Sequence, residues 1–158
     1  MFIVGINSQI YPDQHFEFPV GRYKTKTVRD AIHGLPEPAF YEKNLTEADI
    51  PFHPNHWTMR PLSTKFNERR KNKGRSFRRL DWDEPSPTVA YGNREIHIHP
   101  RGHRRLSIYE AMLLQGFPKN YVLNGTLGEQ VTQISNAVPP PVAKSIAKAL
   151  TRQLSELN

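Results

Sequence analysis

Between Leu106 and Pro118 the residues leave the backbone almost no choice. Ser107 with Glu110 three residues on is a capping box. In that arrangement the serine oxygen takes a free amide of the first turn, and the carboxylate takes the serine's own amide. Leu106 before the cap and Ala111 beyond it hold the staple positions. Gly116 can take the left-handed conformation that stops a helix, and Pro118 prevents its continuation. A helix from Ser107 to Gln115 follows. A second is predicted from about Pro140 to Leu154, with proline tolerated in the first turn. Val142, Ile146, Ala149, Leu150 and Leu154 form its apolar stripe. As amphipathic helices, both must bury a face against other structure.

The remainder is less regular. Only 37% of the 158 residues are apolar, and 14 prolines and 9 glycines interrupt them. This suits one domain of ordinary size, or a small domain with an appended piece, containing long irregular segments and borrowing stability from a partner. Phe2-Ile3-Val4-Gly5-Ile6 is a continuous apolar run, the pattern of a strand buried on both faces. No sheet lies near it in sequence, so it is expected to join a sheet supplied from elsewhere. Phe16-Glu17-Phe18-Pro19 reads as a short extended piece. Thr27 with Asp30 predicts a short helix over Val28–His33, stopped by Gly34. From Pro36 to about Ser76 periodicity fades, with one turn of helix at Thr46–Asp49. Thr88–Tyr91 and Arg94–His99, joined by Gly92-Asn93, form a candidate hairpin. Its alternation sets Glu95, His97 and His99 on one face and Arg94, Ile96 and Ile98 on the other.

The net charge of +7 and pI near 9.8 favour a polyanionic partner, because Lys and Arg gain affinity by releasing counterions from phosphates. Lys65 to Arg75 is strongly basic, either a solvated loop or an arm touching phosphates. The absence of cysteine excludes disulfides and thiolate metal sites and fits a reducing cytoplasm. His97, His99 and His103 could supply three metal nitrogens, but Pro100 and Gly102 interrupt the geometry, and polar contacts to DNA or backbone are preferred. No apolar run reaches the ~18 residues of a membrane span. Residues 2–6 are too short for a secretion signal.

Several segments match one family. Arg104-Arg105-Leu106-Ser107-Ile108-Tyr109-Glu110 with Leu114-Gln115-Gly116-Phe117-Pro118 resembles the ninth conserved motif of DNA cytosine-5 methyltransferases. That motif is a helix organising the target-recognition domain. The family often carries arginine before the glutamate, where this chain has Tyr109. Gln133-Ile134-Ser135-Asn136-Ala137-Val138-Pro139-Pro140 resembles the tenth motif, which closes the S-adenosylmethionine pocket. By that resemblance Asn136, Ala137 and Val138 lie near the cofactor's amino-acid end. The family commonly has glycine at Ser135, so the resemblance leaves the loop geometry there open. Arg79-Leu80 and Thr88-Val89-Ala90-Tyr91-Gly92 resemble the two recognition loops. Arg79 matches an arginine that reads guanine, whose O6 and N7 suit the guanidinium fork. Thr88 and Val89 match the heart of the second loop, Tyr91 and Gly92 would hold it against DNA, and Arg94 counts with them as DNA-facing. Phe2–Gly5 resembles the strand after the eighth motif.

The resemblance implies an α+β fold. It would comprise the final strand of a partner's Rossmann-like α/β catalytic domain, a small irregular target-recognition domain with short strands, and two C-terminal helices. Residues 1–35 would end the catalytic sheet and form a hinge, 36–118 the target-recognition domain, and 119–158 the tenth motif and the helix returning to the catalytic domain. Such enzymes attack cytosine with a cysteine thiolate, and this chain has none. The glycine-rich cofactor loop, the Pro-Cys loop and the Glu-Asn-Val segment are also missing. The implied protein is the smaller subunit of a split bacterial methyltransferase, cytoplasmic and inactive alone. Its partners would be double-stranded DNA and a catalytic subunit that binds most of the S-adenosylmethionine. Other possibilities are a non-enzymatic DNA-binding protein derived from a methyltransferase, and a degenerate reading frame. The intact caps and turns argue against the last.

Overall fold

Four times along the chain a Ser or Thr is followed three residues later by an acid, and each time a helical turn begins there. The structure, a computed structural model, describes residues 2–12, 14–21, 25–62, 66, 78–88 and 97–156. Helix α1 (Val28–Ile32) starts at Thr27, whose amide donates to Asp30 Oδ2 at 2.9 Å. A 3-10 turn (Glu47–Asp49) starts at Thr46, whose amide and hydroxyl both donate to Asp49. Helix α2 (Ile108–Leu114) starts at Ser107, whose amide donates to Glu110 Oε2 at 2.8 Å. Helix α3 (Leu127–Asn136) starts at Thr126, whose amide donates to Glu129 Oε2 at 2.7 Å. Helix α4 (Pro140–Ser155) has proline in its first turn, where a missing amide costs no intrahelical bond.

Helix α2 ends as its sequence predicts. Gly116 takes φ +79°, its amide donates to the Leu113 carbonyl, and the Phe117 amide donates to the Met112 carbonyl. These two bonds satisfy carbonyls that the end of the helix would leave without partners.

The chain forms two compact units, residues 25–137 and residues 1–24 with 138–158. These boundaries do not follow the segments 1–35, 36–118 and 119–158. In the larger unit α1 packs on α2, and α2 on α3. Val28, Ile32, Leu80, Leu106, Ile108, Tyr109, Ala111, Met112, Leu123 and Ile134 form its core. Met112 is fully buried, and truncating such a side chain to alanine costs roughly 2–5 kcal/mol. Beside the core, β1 (Ala39–Phe40) pairs in parallel with β2 (Trp57–Thr58), in the register Ala39 to Trp57 and Phe40 to Thr58. A second ladder is built on Ile98, which bridges Arg79 in parallel and Arg105 in antiparallel sense.

In the smaller unit the Glu17 amide donates to Gln153 Oε1 at 2.9 Å, and Gln153 Nε2 donates back to the Glu17 carbonyl at 2.8 Å. This clips the extended 16–19 piece to α4. On the α4 stripe Ala149 is buried, Ile146, Leu150 and Leu154 are half-buried, and Val142 is exposed. Among the described residues Ala149 is the one buried position of this unit.

Three expectations need correction. Residues 2–7 form no strand, and Ile3 is 83% exposed. A strand is defined by its ladder, and no described segment pairs with this run. Helices from residue 108 onward number three rather than two, because α3 occupies part of the stretch read as the tenth-motif loop. Ser135 lies inside α3, donating its hydroxyl to the Val131 carbonyl at 2.8 Å, so no positive φ is required of it. Most of the hairpin across 88–99 lies outside the described residues. At its described end His97, Ile98 and His99 are all buried, so alternation does not sort inside from outside there.

Candidate functional site

The segment from Arg104 to Glu110 is organised by buried charge. Arg104 forks onto Glu110, with Nη1 to Oε2 and Nη2 to Oε1 both 2.8 Å, and both side chains are almost fully buried. Arg104 Nε donates to Glu37 at 2.7 Å, and Nη1 also donates to the Arg105 carbonyl at 3.0 Å. Glu110 additionally accepts the Ser107 amide, so one carboxylate both caps α2 and neutralises the arginine. Such a pair withstands desolvation because its donors and acceptors are matched. The position before Glu110 is thus not needed for the ion pair. Tyr109 instead stacks on His53, with ring centroids 3.9 Å apart, and donates its hydroxyl to the Lys119 carbonyl.

Around this pair the histidines hold structure. His56 lies between the Pro36 carbonyl and Ser107 Oγ. A carbonyl only accepts, so Nε2 carries the proton, and Nδ1 accepts a hydrogen bond from the Ser107 hydroxyl. Burial pushes His56 below its ordinary value. Burial, and then the neighbouring Arg104 charge, push His99 down to about 4. His97 Nε2 bonds the Thr88 carbonyl at 3.0 Å, His99 Nδ1 accepts the Arg101 amide, and His103 Nε2 meets Glu37 at 3.1 Å. The three histidines sit in different bonds. No cluster suited to a metal ion occurs among the described residues.

Of the residues expected to face DNA, Arg79 is exposed, on the segment beside Ile98. Its Nε donates to the Pro100 carbonyl at 2.6 Å. Arg29, Arg60, Arg101 and Arg104 each face a carboxylate, whereas Arg79 faces none among the described residues. Thr88 is exposed, and its carbonyl is held by His97. Val89, Tyr91, Gly92 and Arg94 lie outside the described residues, as does nearly all of the basic stretch 65–75.

On the side expected to face cofactor, Asn136 is the last residue of α3 and is exposed. Ala137 turns the chain into extended conformation, with φ −67° and ψ 136°. Val138 is 49% exposed and belongs to the other unit. Two glutamines missed by the sequence reading hold α3 in place. Gln115 Nε2 donates to the Ile134 carbonyl at 2.8 Å, within the last turn of α3. Gln130 Oε1 accepts from Asn55 Nδ2 at 3.0 Å and from Trp57 Nε1 at 3.1 Å, while its Nε2 donates to the Gly125 carbonyl. Asn55 in turn exchanges two bonds with the Leu123 backbone. Capping pattern and spacing signal where helices begin, but nothing in a sequence pairs Asn55 with a glutamine 75 positions on.

The C-5 cytosine-specific DNA methylase family matches residues 1–152, and the chain belongs to it. It is 32% identical over 177 residues to the type II methyltransferase M.MthTI of Methanothermobacter thermautotrophicus, covering 98% of this chain and 51% of that protein. It is 36% identical over 104 residues to the type II methyltransferase M.AquIB of Picosynechococcus sp., covering 59% of this chain and 75% of that one. A solved structure described as a putative DNA modification methyltransferase encoded within an E. coli prophage superposes with TM-score 0.64. It shares 23% identity and covers 96% of this chain and 51% of its own, a likeness of fold. The chain therefore spans about half the length of M.MthTI and of that solved protein.

Proposed function

We propose that this chain is the target-recognition and cofactor-closing subunit of a two-polypeptide DNA cytosine-5 methyltransferase of restriction–modification type. The observation that carries the reading is a family match over residues 1–152 in a chain with no cysteine. A thiolate nucleophile has no substitute among these residues, so these residues alone are inactive, and the reading assigns the nucleophile to a catalytic partner. M.AquIB supports the reading, since 104 aligned residues make up 75% of it and it is itself a short chain.

In the assembled enzyme the target cytosine leaves the duplex, because its ring carbons are unreachable in the stack. The recognition unit holds the phosphates and reads bases around the gap, with Arg79 and the loop from Thr88 to Arg94 facing DNA. S-adenosylmethionine, bound mainly by the partner, supplies the methyl group. The end of α3 fits its amino-acid end. The exposed Asn136 amide offers a donor and an acceptor, and the turn into extended backbone at Ala137 leaves last-turn carbonyls without helical partners. The apolar run 2–6, α4 and segment 133–140 form the interface with the partner. Supporting this, the smaller unit buries one described side chain, yet it exposes Phe2, Ile3, Val20 and Val142. No described helix is long and apolar enough to cross a membrane, and the site of action is cytoplasmic DNA.

The test is methyl transfer from labelled S-adenosylmethionine to plasmid DNA by this chain, its genomic neighbour, and their mixture. Activity in the mixture alone is expected. An inactive mixture, with sequence-specific binding by this chain by itself, would instead make it a DNA-binding protein without a catalytic partner.

A further inference from the structure

We propose that the turn His99–Gly102 is a positioning device for Arg79, with the Pro100 carbonyl holding Nε and the bare Gly102 leaving room for the guanidinium, so that the two terminal nitrogens form a preset donor fork. This rests on the reading of Arg79 as a DNA-facing residue. Arg79 lies in a ladder beside Ile98, with the Leu80 amide donating to the Ile98 carbonyl and the Ile98 amide to the Arg78 carbonyl. The chain then turns at once, the Gly102 amide donating to the His99 carbonyl at 2.7 Å. The turn meets the guanidinium in two ways. The Pro100 carbonyl takes Nε. A Cβ on Gly102 would lie 3.3 Å from Cζ, 3.3 Å from Nη1 and 3.4 Å from Nε. Near-equal distances to those three atoms put that Cβ position over the flat face of the group, not at an edge, so the space a side chain would fill is the space the guanidinium uses.

With Nε engaged by the Pro100 carbonyl, the open edge is the Nη1–Nη2 pair. Neither nitrogen has a hydrogen-bond partner among the described residues, and no described carboxylate competes for them. An arginine whose rotamers are already restricted loses less entropy on binding than a free one. Its planar fork matches a base edge carrying two acceptors, which in the major groove is guanine O6 with N7. Gly102 is suited to this place twice over. Its φ of +79° disfavours other residues, and any side chain would press on the guanidinium.

The experiment uses the full chain, alone and mixed with its genomic neighbour. A preferred duplex is selected from random sequence, and each guanine in it is then replaced singly by 7-deazaguanine. For the wild type, one replacement should weaken binding about tenfold or more. Arg79→Ala and Arg79→Lys should both lose that sensitivity, with the lysine variant keeping the affinity for unrelated duplex. Gly102→Ala and Gly102→Asn should lose most of it while binding unrelated duplex as before. Thermal melting checks that the glycine variants fold, and Arg79→Lys tests the fork without disturbing the turn. Wild-type sensitivity in Arg79→Lys would overturn the fork. Loss in Arg79→Ala with wild-type sensitivity in folded Gly102 variants would overturn the positioning role and leave Arg79 a base reader. Uniform weakening by Arg79→Ala on all duplexes would make Arg79 a phosphate contact and overturn both.

Discussion

Arg104 and Glu110, six positions apart, close a two-bond fork inside the core, both contacts 2.8 Å and both side chains at most 2% exposed. Glu110 also caps α2 through the Ser107 amide, so the pair joins the segment before the helix to the helix itself. Removing Arg104 strands the buried Glu110 charge, which costs roughly 3–5 kcal/mol, a large share of the ~5–15 kcal/mol that holds a domain folded. Removing the Glu110 charge costs less, because Arg104 keeps Glu37. Arg104→Met should lower the urea midpoint of the chain steeply, and Glu110→Gln should lower it by less. Glu110→Gln keeps an acceptor for the Ser107 amide and so isolates the charge. The double variant should recover part of the loss, and a strictly additive double variant would show that the two residues are energetically independent.

Acid should destabilise the chain in two stages. Burial and the Arg104 charge hold His99 at about 4, against an ordinary 6.5. At neutral pH it is therefore uncharged, and its 3.8 Å approach to Glu110 is no ion pair. Between those two values the unfolded chain binds a proton that the folded chain refuses, so stability rises with pH. The His99 contribution is complete above about 6.5 and is lost as pH falls toward 4. Burial alone would raise Glu37, but hydrogen bonds from Arg104 and His103 outweigh it and hold the carboxyl at about 2. Its contribution begins to fall below about 4.5. Urea midpoints at pH 7 and pH 5 should differ, and His99→Gln should shrink the difference. His53 and His56, also lowered by burial, act in the same direction. An unchanged difference in His99→Gln would remove His99 from the effect.

The features legible beforehand are those that a few adjacent residues determine. Thr27 with Asp30, and Ser107 with Glu110 and Gly116, mark where their helices begin and where the second one stops, and those helices form there. Helix α3 carries the same signature in Thr126 and Glu129, with Leu127, Val131 and Ile134 on one face. Its C-terminal half overlaps segment 133–140, whose likeness is to a closing loop, so local pattern and family pattern conflict there. The partner of Glu110 illustrates the other limit. A family pattern placed an arginine next to the glutamate in sequence, while the charge arrives from Arg104, because helical residues meet partners across a cap as readily as along it. The run Phe2–Ile6 has the composition of a strand, but strand formation depends on a neighbouring ladder that composition does not encode.

Gln130 should prove as important to stability as an apolar core residue. Its Oε1 accepts hydrogen bonds from both Asn55 and Trp57, and all three side chains are buried. Gln130→Leu preserves volume while leaving two buried donors unmatched, at ~1–3 kcal/mol each. A fall in melting temperature is expected, together with a changed emission maximum for the Trp57 indole, which loses its acceptor. Gln130→Glu retains an acceptor for both donors and should keep the Trp57 emission near wild type. Equal melting temperatures for the wild type and Gln130→Leu would contradict the network.

Asn136 and Gln115 allow the cofactor-side reading to be separated from simple fold maintenance. Asn136 is exposed at the end of α3, so Asn136→Ala should leave stability within about 0.5 kcal/mol of wild type in a urea melt. In the complemented enzyme it should raise KM for S-adenosylmethionine several-fold with DNA affinity nearly unchanged. Gln115 touches no expected ligand but holds the Ile134 carbonyl two residues earlier. Gln115→Met keeps the side-chain length and removes that bond, so the end of α3 should fray. Hydrogen exchange in a peptide spanning 134–139 should quicken, and KM for the cofactor should rise in the same direction as in Asn136→Ala. Faster exchange with unaltered KM in both variants would mean that the end of α3 is an ordinary helix terminus and that the cofactor is closed in by other residues.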